Sequence, residues 1–129
     1  MKQGCEKDIN RVWASLKEGD TFRTPDNLKG AFFAISLIET DKVWIDPQRI
    51  FINRNAFIAA LYYLMRKQNY VNNQCEIRSN NNSKNAGPLC QASRNENNNV
   101  RCINYIIPIL KTKSIVDYSG ERPNKVWLI

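Results

Sequence analysis

The sequence predicts an α+β chain: an N-terminal helix with a small antiparallel β-meander, followed by a unit of helices closed by a hairpin. Three observations carry this. Apolar residues recur at helical spacing in residues 6–20, 53–69 and 100–110. They alternate in short runs, broken by polar turns, in residues 31–54. The chain has 129 residues, 43% hydrophobic and 24% charged, which is enough apolar material for a core in an ordinary globular balance.

In "EKDINRVWASLKEGD" (6–20), Ile9, Val12, Trp13 and Leu16 mark one helical face, and Gly19 fits a C-terminal stop. Residues 21–30 read as a strand end and a turn, with Pro25, Asp26, Asn27 and Gly30 as breakers. Phe33, Ile35 and Leu37 alternate, as do Val43 and Ile45, then Ile50 and Ile52. The turns "ETD" and "DPQ" are too short for parallel crossovers, so three or four antiparallel strands are expected. Residues 53–69 hold the strongest helix. Phe57, Leu61, Leu64 and Met65 share a face, Asn53 or Asn55 offers a cap, and Arg66 and Lys67 complement the helix dipole. Residues 74–79 read as a short strand and 87–94 as a short helix with Pro88 in its first turn. Twelve asparagines between 69 and 104 favour loops around them. The last helix buries Val100, Ile103, Ile107 and Leu110 and turns Arg101, Asn104, Pro108 and Lys111 the other way, with a kink or break expected at Pro108. "SIVDY" and "NKVWLI" then form a hairpin around "SGERP". The expected division is residues 1–53 and 54–129.

Charge is unevenly spread. Residues 1–50 hold eight Lys/Arg and eight Asp/Glu, whereas residues 51–129 hold eleven and four, so the second part carries the whole net charge of +7. That asymmetry favours an anionic partner over a merely solvated surface. The chain has no histidine, which excludes His-based triads and His general bases. Neither GxGxxG nor GxxxxGK[ST] occurs, so phosphate-loop chemistry has no support. Cys5, Cys75, Cys90 and Cys102 lack CxxC spacing and read as reduced structural thiols; a metal shared by Cys75, Cys90 and Cys102 is the alternative. No cofactor is implied. No apolar run reaches the roughly 18 residues of a membrane span, and the first ten residues lack a signal peptide's apolar stretch, so a cytoplasmic protein is expected.

From residue 54 the order is helix, short strand, short helix, helix, hairpin. That order, with "INYIIPILKTKSIVDYSGERPNKVWLI" as its end, resembles the winged helix-turn-helix domain over residues about 54–129. The fold expectation is therefore α+β: a small antiparallel β-meander with an N-terminal helix, followed by a winged helix-turn-helix. A β-meander joined to such a domain also resembles, more loosely, the DNA-recognition pieces of bacterial restriction or defence proteins. The resemblance implies a module that binds double-stranded DNA, with a nuclease or other subunit as a further partner. It implies a third helix in the major groove and a wing on the backbone. By position, Asn97, Asn98, Asn99, Arg101 and Asn104 would face the groove, where Arg pairs with guanine and Asn with adenine. Lys111, Arg122, Asn124 and Lys125 would flank it on phosphates, and Ser79, Ser83, Lys84 and Arg94 would anchor the backbone near the second helix.

Each residue also has a plainer role. Asn97–Asn99 are a cap and a loop, Arg101 and Lys111 are solvated, and Arg122 pairs with Glu121 or Asp117. A magnesium nuclease would draw on Asp26, Glu39, Asp41 and Lys42, although turns of a small meander are where solvated carboxylates are expected. A protein-binding adaptor would use Trp44, Tyr62, Tyr63, Tyr105 and Trp127.

Overall fold

The structure is a computed structural model that describes residues 2–129, and side chains from residue 4 onward. Helix α1 spans Lys2–Ser15 and ends before Gly19. Four strands follow, β1 (Thr21–Arg23), β2 (Phe32–Ile38), β3 (Lys42–Asp46) and β4 (Ile50–Asn53), paired antiparallel in chain order as a meander. The alternation places Phe33, Ile35, Val43, Ile45 and Ile52 in the core. Leu37 departs from it and is 45% exposed. A bulge explains this: Ile35 pairs with Ile45, but Leu37 pairs with Trp44, so Ser36 is an extra residue and Leu37 turns to the outer face.

Helix α2 (Arg54–Arg66) buries Phe57, Leu61 and Leu64, and also Ala56, Ile58 and Ala60. Two flanks are covered, because α1 packs on one and α3 on the other. Asn53 is the N-cap by position, but its side chain does not cap the helix; its Nδ2 donates to the Glu96 carbonyl instead. Strand β5 (Cys75–Glu76) leads through a 3-10 turn at Ser83–Asn85 to α3 (Pro88–Asn95), with Pro88 in the first turn as expected. Helix α4 (Ile103–Thr112) runs through Pro108 without interruption. Proline carries no N–H, so the Asn104 carbonyl lacks its usual helical donor. The hairpin β6 (Val116–Ser119) and β7 (Lys125–Leu128) joins β5 in a second antiparallel sheet, ordered β5–β7–β6.

The boundary expected between residues 53 and 54 falls inside a continuous core. Buried residues of α1, both sheets and the later helices form one apolar cluster. Trp13 of α1 meets Phe57 of α2 edge-on at 5.2 Å, and Phe33 of β2 meets Tyr105 of α4 edge-on at 5.1 Å. The meander therefore lies against α4. Seven of the ten α4 residues are buried, including Tyr105, Ile106, Pro108 and Ile109, which the sequence reading did not place on the buried stripe.

Candidate nucleic-acid interface

The loop 24–30 reaches across to the β6–β7 turn and closes a cleft. Asp26 organises the loop: its Oδ1 accepts from the backbone N–H groups of Leu28 (2.9 Å) and Lys29 (3.2 Å). Its Oδ2 accepts from Arg122 Nε (3.2 Å) and Nη2 (3.0 Å). The Leu28 N–H first, and then Arg122, hold the Asp26 carboxyl below the usual carboxylate range. The Asn27 N–H donates to the Gly120 carbonyl at 2.9 Å. A Cβ at Gly120 would fall on the Asn27 Oδ1 atom, so any larger residue there obliges the exposed Asn27 side chain to swing aside.

The cleft holds about 570 Å³. One wall is Thr24, Pro25, Asp26 and Lys29; the other comes from residues 77–79, the start of α4 and residues 122–124. Four cations line it, Lys29, Arg78, Arg101 and Arg122, against one acid, Asp26. Arg122 is paired with that acid. The side chains of Lys29, Arg78 and Arg101 have no hydrogen bond or ion pair among the described residues. Arg78 is held by its backbone: it adopts φ 45°, and its carbonyl accepts from the Gly87 N–H at 3.0 Å. A Cβ on Gly87 would sit 2.7 Å from Arg78 Cβ, so the glycine lets the two segments touch. Within the cleft, Ser79 Oγ and Asn104 Oδ1 are shielded from solvent and have no hydrogen-bond partner.

Of the residues expected to touch nucleic acid, Arg101, Asn104, Arg122 and Asn124 converge in this cleft, with Ser79 beside them. Asn124 Nδ2 donates to the Gly120 carbonyl at 2.9 Å and so shapes the turn. The others lie elsewhere. Arg94 is 4% exposed and is not a backbone anchor. Its guanidinium donates to the carbonyls of Asn80 (2.6 Å), Asn81 (2.8 Å) and Asn99 (3.3 Å) and to Asn99 Oδ1 (3.2 Å). Asn97 is fully buried: its Oδ1 accepts from the Asn53 N–H at 2.7 Å and its Nδ2 donates to the Phe51 carbonyl at 3.2 Å. Neither side chain is available to a groove. Asn98 and Asn99 adopt positive φ, 54° and 60°, a turn geometry asparagine tolerates. Lys111 pairs with Asp117 at 2.7 Å, and that ion pair, with the Tyr118 N–H, lowers the Asp117 carboxyl. Lys125 stands in register with Glu76, and Ser83 and Lys84 lie in the 3-10 turn.

The cover over α4 has a direct consequence. A recognition helix reaches base edges chiefly with its N-terminal residues. Here Asn104, Lys111 and Thr112 are the only α4 residues that are not buried. Most of α4 is thus committed to the core, packed against β6, α3, β1 and α2, and Asn104 near its N-terminal end lines the cleft.

The remaining expectations also find places. Glu39 accepts from the Trp44 indole N–H at 2.8 Å, and among the described residues no group of three Cys, Asp or Glu side chains is placed to hold a metal ion. The four cysteines are free thiols; burial pushes Cys102 up to about 12 and Cys75 up to about 11, so both stay protonated near neutrality. Tyr105 is buried, and Trp44, Tyr62, Tyr63 and Trp127 are half-buried. Lys29 and Arg78 went unnoticed in the sequence, where nothing links either to residues 101–104 or 122–124. No helix among the described residues is long and apolar enough to cross a membrane.

No protein-family model, no curated protein and no solved structure matches this chain.

Proposed function

We propose that this protein is a DNA-binding module that docks on the duplex backbone with the face carrying the cleft and the β6–β7 turn. The observation that carries this reading is the set of unpaired cations, Lys29, Arg78 and Arg101, gathered from three separate segments into one recess. Folding such charges together without acidic partners costs self-repulsion, which an anionic partner relieves. The winged-helix reading of residues 54–129 is supported by the element order and by the pairing of the hairpin with β5. On this reading the turn at residues 120–124 and the start of α4 meet phosphates, while the body of α4 serves the core.

The test is a fluorescence-anisotropy titration of duplex DNA at about 50 and about 200 mM salt. Three phosphate contacts correspond to a loss of about 40-fold over that range. Affinity that does not move with salt would contradict the reading. It would favour a protein-binding role instead, for which the specific observation is the exposure of Leu28 (77%) and Phe32 (67%) on the outer surface.

A further inference from the structure

We propose that the cleft takes a single nucleotide swung out of the duplex, with its base against Asn104 and Ser79 and its phosphates on Arg78 and Arg101. This rests on the DNA-binding reading and adds how a base is read.

Three features lead to it. First, seven of the ten α4 residues are buried, so little of that helix beyond its N-terminal end is free to meet base edges. The groups suited to base recognition, Arg101 and Asn104, are instead recessed in the cleft. Second, the cleft's 570 Å³ lies in the range of small-ligand sites, roughly 300–1,000 Å³. It has room for one nucleotide and none for a duplex, so a base reaches Asn104 only by leaving the stack. Third, the lining is divided as a nucleotide is. The Asn104 amide and Ser79 hydroxyl lie shielded, each with an atom lacking a partner. Pro25 and Ile77 are buried, apolar walls suited to the flat faces of a base. The unpaired guanidinium groups of Arg78 and Arg101 suit phosphate oxygens, which they engage through two parallel N–H donors.

The amide also suits a base edge. A side-chain amide offers a donor and an acceptor side by side and matches a base edge with the complementary pair. Adenine has such a pair on its Watson–Crick edge, the amino group and N1, and this edge is exposed once the base is out of the helix. The Ser79 hydroxyl adds a rotatable donor or acceptor beside it. The other bases also set a donor beside an acceptor on that edge, so the amide suits any extruded base, and adenine serves as the probe. The same chemistry is present in free adenine nucleotides, so the source of the nucleotide has to be separated experimentally.

The experiment compares three ligands on the full chain: a fully paired duplex, the same duplex with one unpaired adenine, and free deoxyadenosine monophosphate. A second copy of the bulged duplex carries 2-aminopurine at the unpaired position as a fluorescent reporter of stacking. Because an unpaired base is easier to extract, the bulged duplex should bind about tenfold tighter than the paired one. Its reporter should also change intensity on binding, and the mononucleotide should compete only weakly. Asn104→Leu and Ser79→Ala should each abolish the preference for the bulged over the paired duplex, read as the ratio of the two affinities. Ser79→Ala removes a single oxygen and guards against a fold defect in the larger change. Equal affinity for paired and bulged duplexes with a silent reporter would overturn the nucleotide proposal and leave duplex docking intact. Mononucleotide binding as tight as the bulged duplex would overturn the duplex as the source. Absence of binding to any duplex would overturn the DNA-binding reading and this inference with it.

Discussion

Arg94 and Arg101 lie seven residues apart in the same asparagine-rich stretch, and the fold gives them opposite tasks. Arg94 is buried, and its guanidinium donates to three carbonyls and a side-chain amide, stitching residues 80–81 to the 97–99 turn. Arg101 lines a cleft and makes no internal hydrogen bond or ion pair among the described residues. Chemistry alone does not separate them. A guanidinium surrounded by chain-end carbonyls is a folding device; the same group held in a recess beside two other unpaired cations is suited to an external anion.

The largest effect separating the two regions should come from Arg94→Ala, which strips donors from several carbonyls and removes a buried side chain. A loss of about 3 kcal/mol is expected in a denaturant titration. Asn97→Ala in the same region orphans the Asn53 N–H and should cost about 2 kcal/mol by the same measurement. On the cleft side, Gly120→Ala obliges the exposed Asn27 side chain to change rotamer and should cost no more than about 1 kcal/mol. Arg101→Ala should change stability by no more than about 0.5 kcal/mol and still lower duplex affinity. A stability loss at Arg101 as large as that at Arg94 would break the contrast.

Acid should act on the cleft before the core. The Asp26 carboxyl is held below its ordinary value, so its contribution is full above the unfolded range of about 4 and fades as pH falls through the lower folded value. Below that point the loop 24–30 should detach from the β6–β7 turn, read as faster amide exchange at Asn27, whose N–H bonds Gly120. Asp117 follows the same sign through Lys111 and should titrate alongside. Arg122→Ala should abolish the acid-sensitive part at Asn27 and leave Asp117 unchanged.

How much of this was legible follows from the same contrast. The meander could be read because alternation and short turns are local signals; Leu37 was misplaced because a bulge leaves no mark in the pattern. The stretch "INYIIPIL" is apolar apart from Asn104 and the Tyr105 hydroxyl, the mark of a helix buried around most of its circumference, and a single stripe read through it understated its burial. Arg101, Asn104, Arg122 and Asn124 stood out as polar groups at the start of a helix and in a basic turn. Arg94 and Asn97 were misassigned because their partners are backbone carbonyls and an N–H, which carry no sequence signature. Lys29 entered the site through the contact between residues 24–30 and 120–124, and Arg78 through the bond of the neighbouring Ile77 N–H to the Asn124 carbonyl. The Arg122–Asp26 link between the loop and the turn spans 96 residues and replaces the expected local pairing with Glu121 or Asp117.

The most direct test removes cations inside and outside the cleft in equal number. Duplex affinity is measured against salt for the unmodified protein, for Arg78→Ala/Arg101→Ala, and for Lys67→Ala/Lys84→Ala, whose side chains are exposed elsewhere. If the cleft is the contact surface, the first pair flattens the slope of log affinity against log salt by about two, and the second leaves it unchanged. Equal slopes for the two double variants would contradict the assignment of the cleft.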